Sequence, residues 1–117
     1  MRYVLLVAAL FNFGAALAFA FPASLGQLAA LPMAPPLYST LVALFIGLFG
    51  ASYAWLALQP VIHRPLLAFG AIGKASACVL FLLLWLEGQA SLLVMLGGLG
   101  DLAFAAVFFG WLVLKRA

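Results

Sequence analysis

Apolar residues run almost unbroken through four stretches of the chain, about residues 3–21, 37–59, 66–86 and 90–114, with proline, glycine or charge at their ends. A helix needs about 20 such residues, because a rise of about 1.5 Å per residue must cross roughly 30 Å of hydrocarbon. A helix that is apolar on every side has no water-facing stripe and reads as one surrounded by lipid. The pattern predicts an all-α fold, an integral membrane bundle of four transmembrane helices forming a single domain over residues 1–117.

The connections are short, with one exception. Residues 60–65 (PVIHRP) and 87–89 (EGQ) are tight links, which make consecutive helices antiparallel neighbours. Residues 22–36 (PASLGQLAALPMAPP) hold four prolines and no charge. That segment cannot continue a spanning helix, yet it is too apolar for a solvated loop, and it is expected in the headgroup region.

Composition excludes a water-soluble fold, since 70% of the chain is apolar and 6% charged, against roughly 25% charged for an ordinary soluble domain. The net charge of +3 forms no patch that would engage nucleic acid. Arg2, Arg64, Lys115 and Arg116 all fall on one side of a four-span arrangement, and the other side holds only Glu87. By the positive-inside rule both termini are then cytoplasmic, in a cell (inner) membrane. Tyr3, Tyr38, Trp55, Trp85 and Trp111 lie near span ends, as an aromatic belt requires. Residues 1–20, with Arg2 and Ala18-Phe19-Ala20, also resemble a signal peptide. The length of the apolar run and Asn12 within it favour a retained span.

Ionisable residues inside a span are costly and turn toward the bundle interior. Here they are Lys74 and Asp101. Counting along the helices puts Lys74 roughly 12 Å, Asn12 roughly 13 Å and Asp101 roughly 15 Å from the same membrane edge. Tyr53, Ser52 and Ser76 lie near that level. Asn12 shares its face with Ala8, Ala9, Ala15 and Ala16, Lys74 with Gly70, Ala71, Ala77 and Cys78, and Asp101 with Gly97, Gly98 and Ala105. A stripe of Ala43, Gly47, Gly50, Ala51 and Ala54 in the second span matches them. Small stripes are where membrane helices pack closely. Lys74 and Asp101 are therefore expected to pair, in a cluster of Lys74, Asp101, Asn12, Tyr53 and Ser76 that either fixes helix register or forms a ligand, proton or ion site opening from the cytoplasmic half.

Other motifs carry less. Gly98-Leu99-Gly100-Asp101 is similar to the Gly-x-Gly-Asp motif of intramembrane aspartyl proteases, whose chemistry needs two carboxyls sharing a proton. Asp101 is the sole aspartate and Glu87 falls at the opposite interface, so no catalytic residue is assigned. His63 has no second ligand at metal spacing, Cys78 has no neighbouring base, and Met33 and Met95 are isolated, so no metal or cofactor is expected.

In size and topology the chain resembles small multidrug resistance transporters, but that family depends on a glutamate in its first span, and here the first span has Asn12 and no acid. The polar track of fluoride channels has no counterpart. Gly70-Ala-Ile-Gly-Lys74 followed by Gly100-Asp101-Leu-Ala-Phe-Ala resembles uncharacterised four-helix bacterial inner-membrane proteins, loosely the DoxX group, over the last two spans. That resemblance implies a fold and no activity. The leading expectation is a non-enzymatic membrane protein that binds a small apolar or amphiphilic ligand, or a partner protein, around the Lys/Asp/Asn cluster. The alternatives are a proton- or ion-coupled small transporter acting as a homodimer, and an accessory subunit of a larger membrane enzyme complex.

Overall fold

Proline sets most of the helix boundaries. The computed structural model describes residues 1–115, and among these it contains five helices and no strand: α1 Arg2–Ala20, α2 Leu25–Leu28, α3 Pro36–Leu58, α4 Arg64–Leu86 and α5 Leu92–Leu114. The helix α1 stops one residue short of Pro22, because a residue before proline is driven out of the helical region. Pro36 opens α3 and Pro65 lies in the first turn of α4, where a missing N–H costs nothing. The other ends are closed by side chains and by one glycine. His63 Nδ1 accepts the Leu66 N–H at 3.2 Å at the start of α4, and Ser91 Oγ accepts the Val94 N–H at 3.2 Å at the start of α5. Gly88, at φ +75°, lets the chain after α4 fold back so that its N–H reaches the Trp85 carbonyl and the Gln89 N–H the Leu84 carbonyl. This is a Schellman closure, which only glycine adopts without strain.

The four long helices, α1, α3, α4 and α5, are each long and apolar enough to cross a membrane. Their outer surfaces carry Leu10, Leu44, Leu58, Val79 and Leu92, all more than half exposed. Water would not tolerate such a surface, and lipid does. The chain is thus a multi-pass membrane protein. The basic residues Arg2, Arg64 and Lys115 gather at the end of the bundle that carries the termini, while Arg116 lies outside the described residues.

Within the bundle, α1 packs along α3 and α4 along α5, and backbone approach between these two hairpins is sparse. Small residues make each hairpin tight. A Cβ on Gly50 of α3 would stand 3.1 Å from the Asn12 Cβ of α1, and one on Gly98 of α5 would stand 3.4 Å from the Cys78 Cα of α4. Aromatic rings join the hairpins to each other. Tyr53 of α3 seats on Gly70 of α4, and Phe11 of α1 on Gly100 of α5, so closely that a Cβ on Gly70 would lie 2.7 Å from the Tyr53 ring. Phe11 meets Phe104 edge-on at 5.6 Å and Tyr53 meets Phe108 at 5.8 Å.

At the termini end these contacts continue into a sealed core of Leu5, Ala8, Leu56, Ala57, Leu67, Ala71 and Phe108. Arg64 closes it, donating to the Lys115 carbonyl at 3.1 Å and to the Leu112 carbonyl while its guanidinium lies over Trp111. A cation on the unpaired carbonyls of a helix C-terminus is favourable. At the opposite end the segment between α1 and α3 folds over the bundle, held where Ser91 Oγ donates to the Ala29 carbonyl at 3.2 Å.

Close packing predicts a contrast between glycines. Gly98→Leu forces α4 and α5 apart and should lower stability by about 1–3 kcal/mol. Gly14→Ala meets no atom within 4 Å and should be neutral or gain about 0.4–1 kcal/mol. Reversible unfolding in mixed micelles measures both.

Candidate functional site

A lysine ammonium in hydrocarbon has to find acceptors within the protein, and Lys74 finds them on two other helices. The helix α4 carries it to the level where α5 presents Asp101 and α1 presents Asn12. Lys74 Nζ donates to Asp101 Oδ1 at 2.8 Å and to Asn12 Oδ1 at 2.9 Å. Both are charge-assisted lengths. The lysine is 4% and the aspartate 13% exposed, so little water competes and the two charges cancel where neither is solvated.

The orientation of the Asn12 amide follows from this contact. Its oxygen must face the ammonium, which has donors only, and its nitrogen then donates to the Ile46 carbonyl of α3 at 3.2 Å. That carbonyl already serves its own helix and takes the second bond on its other lone pair. Gly50, four residues on and therefore on the same face of α3, has no side chain to hold α1 away. Without that gap Asn12 would stand too far off to reach Ile46.

Three rings complete the surroundings of the ammonium. The centroids of Phe104, Phe11 and Tyr53 lie 5.0, 5.1 and 5.1 Å from Nζ. At that range each ring face attracts a cation by about 0.5–2 kcal/mol, more where water is excluded. Tyr53 contributes through its ring, while its hydroxyl donates to the Gly70 carbonyl at 3.5 Å.

Of the residues expected in the cluster, Lys74, Asp101 and Asn12 are in direct contact and Tyr53 flanks them. Ser76 is not brought there. It lies two residues beyond Lys74, about 200° around a helix of 3.6 residues per turn, and is exposed with its hydroxyl donating back to the Ile72 carbonyl at 2.7 Å. Ser52 likewise folds back on Leu48. Their angle around the helix excludes both serines from the cluster. Phe11 and Phe104 were not anticipated. Phe104 follows Asp101 by three residues, which places it on the same face, whereas nothing in the sequence marks Phe11.

Next to this cluster the two hairpins diverge around a cavity of about 420 Å³. Its walls are apolar, formed by residues such as Ala15, Ile46, Phe49, Ala77, Phe81 and Gly97. Its polar groups are Lys74, Asp101, Asn12 and the edge of Tyr53. It extends from Asp101 to Leu93 of α5, about 12 Å along the helix, and reaches Ala29 and Leu31 of the covering segment. This cavity thus runs away from the termini end, and a smaller one of about 130 Å³, lined by residues such as Ser52, Leu56, Leu66 and Gly70, lies on the termini side of the polar layer.

The arrangement places one ion pair and one amide at the end of an apolar cavity. Its single carboxylate is engaged by a lysine. No three His, Cys, Asp or Glu side chains converge among the described residues.

Removing one partner of a buried pair leaves the other uncompensated, at a cost of about 3–5 kcal/mol. Asp101→Ala and Lys74→Met should each lose that much. The Lys74→Met/Asp101→Leu double variant should lose markedly less than the sum, in a double-mutant cycle read by unfolding in micelles.

No protein-family model, no curated protein and no solved structure matches the chain.

Proposed function

We propose that this protein is a non-enzymatic, multi-pass membrane protein that binds a small apolar or amphiphilic molecule between its two helical hairpins, with the polar part of that molecule at Lys74, Asp101 and Asn12. The observation that carries this reading is the cavity of about 420 Å³ bordered by those three residues. It falls in the size range of small-molecule sites, roughly 300–1,000 Å³, and has their usual character of apolar walls with a few convergent polar groups.

On this reading the membrane is the cell (inner) membrane, with Arg2, Arg64 and Lys115 and both termini toward the cytoplasm. The cavity then belongs to the outer half of the bilayer. A second reading, a proton- or ion-coupled transporter acting as a homodimer, draws on one observation: Asp101 touches both Lys74 and the cavity. An ion or proton taken up there would compete with the ammonium for the carboxylate. Gradient-driven uptake in proteoliposomes is expected for that reading and not for the first.

Native mass spectrometry of protein released directly from membranes tests the binding reading. A bound mass of small-molecule size should be present on the natural protein and lost, or reduced at least about tenfold, in Ala77→Phe and Gly97→Phe. Both side chains would occupy the cavity, and a Cβ on Gly97 meets nothing within 4 Å. An unchanged bound mass in both variants sinks the reading, and recovery of stoichiometric partner chains instead would favour an accessory subunit.

A further inference from the structure

The acceptors around Lys74 are unequally used. Asp101 Oδ1 receives the ammonium, but Oδ2 accepts no hydrogen bond from any described residue. No buried side-chain polar atom lacks a partner among the described residues, so Oδ2 is accessible, and Asp101 borders the cavity. Asn12 is similarly incomplete: one amide N–H goes to the Ile46 carbonyl, and the second has no partner while Asn12 also borders the cavity. The third Lys74 N–H likewise has no hydrogen-bond partner, and Lys74 borders the cavity too. The end of an apolar cavity therefore offers one strong acceptor, Oδ2, and two donors, from Asn12 and Lys74.

Charge narrows what fits. Lys74 and Asp101 cancel, so an ionised head group would enter hydrocarbon with no counter-ion left for it. An anion would face Oδ2, and a cation would face Nζ. A neutral group with acceptors only, such as a ketone or an ether, would displace water from Oδ2 and give nothing back. An accessible carboxylate oxygen stripped of water without a donor is the costly outcome. A hydroxyl meets both demands, donating to Oδ2 and accepting from Asn12. Size sets the rest: a dry cavity of about 150 Å³ takes up benzene, so a cavity of about 420 Å³ holds a body of two or three fused rings or the equivalent length of chain.

We infer that the occupant of the cavity between the hairpins is an uncharged, hydroxyl-bearing amphiphile of two- to three-ring bulk, whose hydroxyl donates to Asp101 Oδ2. This rests on the binding reading above and specifies the ligand for it.

Probes that share one ring system separate the two claims. Naphthalene, 2-naphthol, 2-acetylnaphthalene, 2-naphthoate and 2-naphthylmethylammonium are titrated against the full chain in zwitterionic lipid nanodiscs, with empty nanodiscs as the reference for partitioning. In the natural protein 2-naphthol should bind about tenfold or more tighter than naphthalene, and both charged probes should bind more weakly than naphthalene. Asp101→Asn keeps a carbonyl for Lys74 and turns an N–H₂ donor toward the cavity. It should erase the preference for 2-naphthol and favour 2-acetylnaphthalene instead. If naphthalene binds as tightly as 2-naphthol, or a charged probe binds tightest, the hydroxyl inference is overturned while the cavity remains a binding site. If no probe exceeds the empty nanodisc, both claims fall together. The ranking in the natural protein stands as a test even if Asp101→Asn assembles poorly.

Discussion

One ammonium group, placed where neither water nor lipid can solvate it, organises the bundle. Lys74 requires two acceptors, and it draws them from α5 and α1. The asparagine that supplies the second acceptor must place its own N–H, and it does so on the Ile46 carbonyl of α3. A single run of hydrogen bonds, from α3 through α1 and α4 to α5, thus ties together all four long helices. The bond to Asp101 lies within a hairpin and provides the counter-charge, whereas the bond to Asn12 crosses between hairpins and sets their relative height. A slip of α1 against α4 by one residue would move Asn12 about 1.5 Å along the axis and about 100° around it, and the ammonium would lose an acceptor it cannot replace from lipid. Register is the use of buried polar groups best attested elsewhere, and here it is inseparable from the site.

The depth of the polar layer was legible in the sequence because depth is linear in residue number. Each helix rises by the same amount per residue, so Lys74, Asn12 and Asp101 could be placed at one level by counting from the membrane edge. Angular position was legible only where a residue type reported it. The small residues beside Asn12 and Asp101 marked their faces correctly, while Ser76, with nothing comparable to fix its direction, was assigned by depth alone and points outward. Serine gives little warning of this, since its hydroxyl is satisfied by the carbonyl four residues back on any face of a helix. The aromatic surroundings of the ammonium were mostly invisible for another reason. In a chain with eleven phenylalanines, a ring near the lysine is indistinguishable from one facing lipid until the hairpins are placed side by side. The Schellman closure at Gly88 lay in a link that the sequence marked only by its shortness, because the motif depends on one backbone torsion.

The cavity follows from how the two hairpins are spaced. At the polar layer and on its termini side, the gap between them is filled by rings that seat on glycines of the opposite hairpin, Tyr53 on Gly70 and Phe11 on Gly100. Those rings fix a separation wider than small side chains can bridge. Beyond the layer the small facing positions are Ala15 and Ala18 in α1, Ala77 in α4, and Gly97 in α5. Had rings occupied these positions too, they would have filled this space. Had small residues formed every wall of it, the hairpins would have closed on one another as α1 closes on α3. The sequence instead seats rings on glycines at the polar layer and, beyond it, sets small residues among larger walls such as Phe19, Phe45 and Phe81. The two hairpins are therefore held apart at one end and left without filling at the other, directly against the accessible oxygen of Asp101. A void built by such a division of side-chain sizes is a property of the packing itself, and its polar end coincides with the one layer whose register the bundle cannot give up.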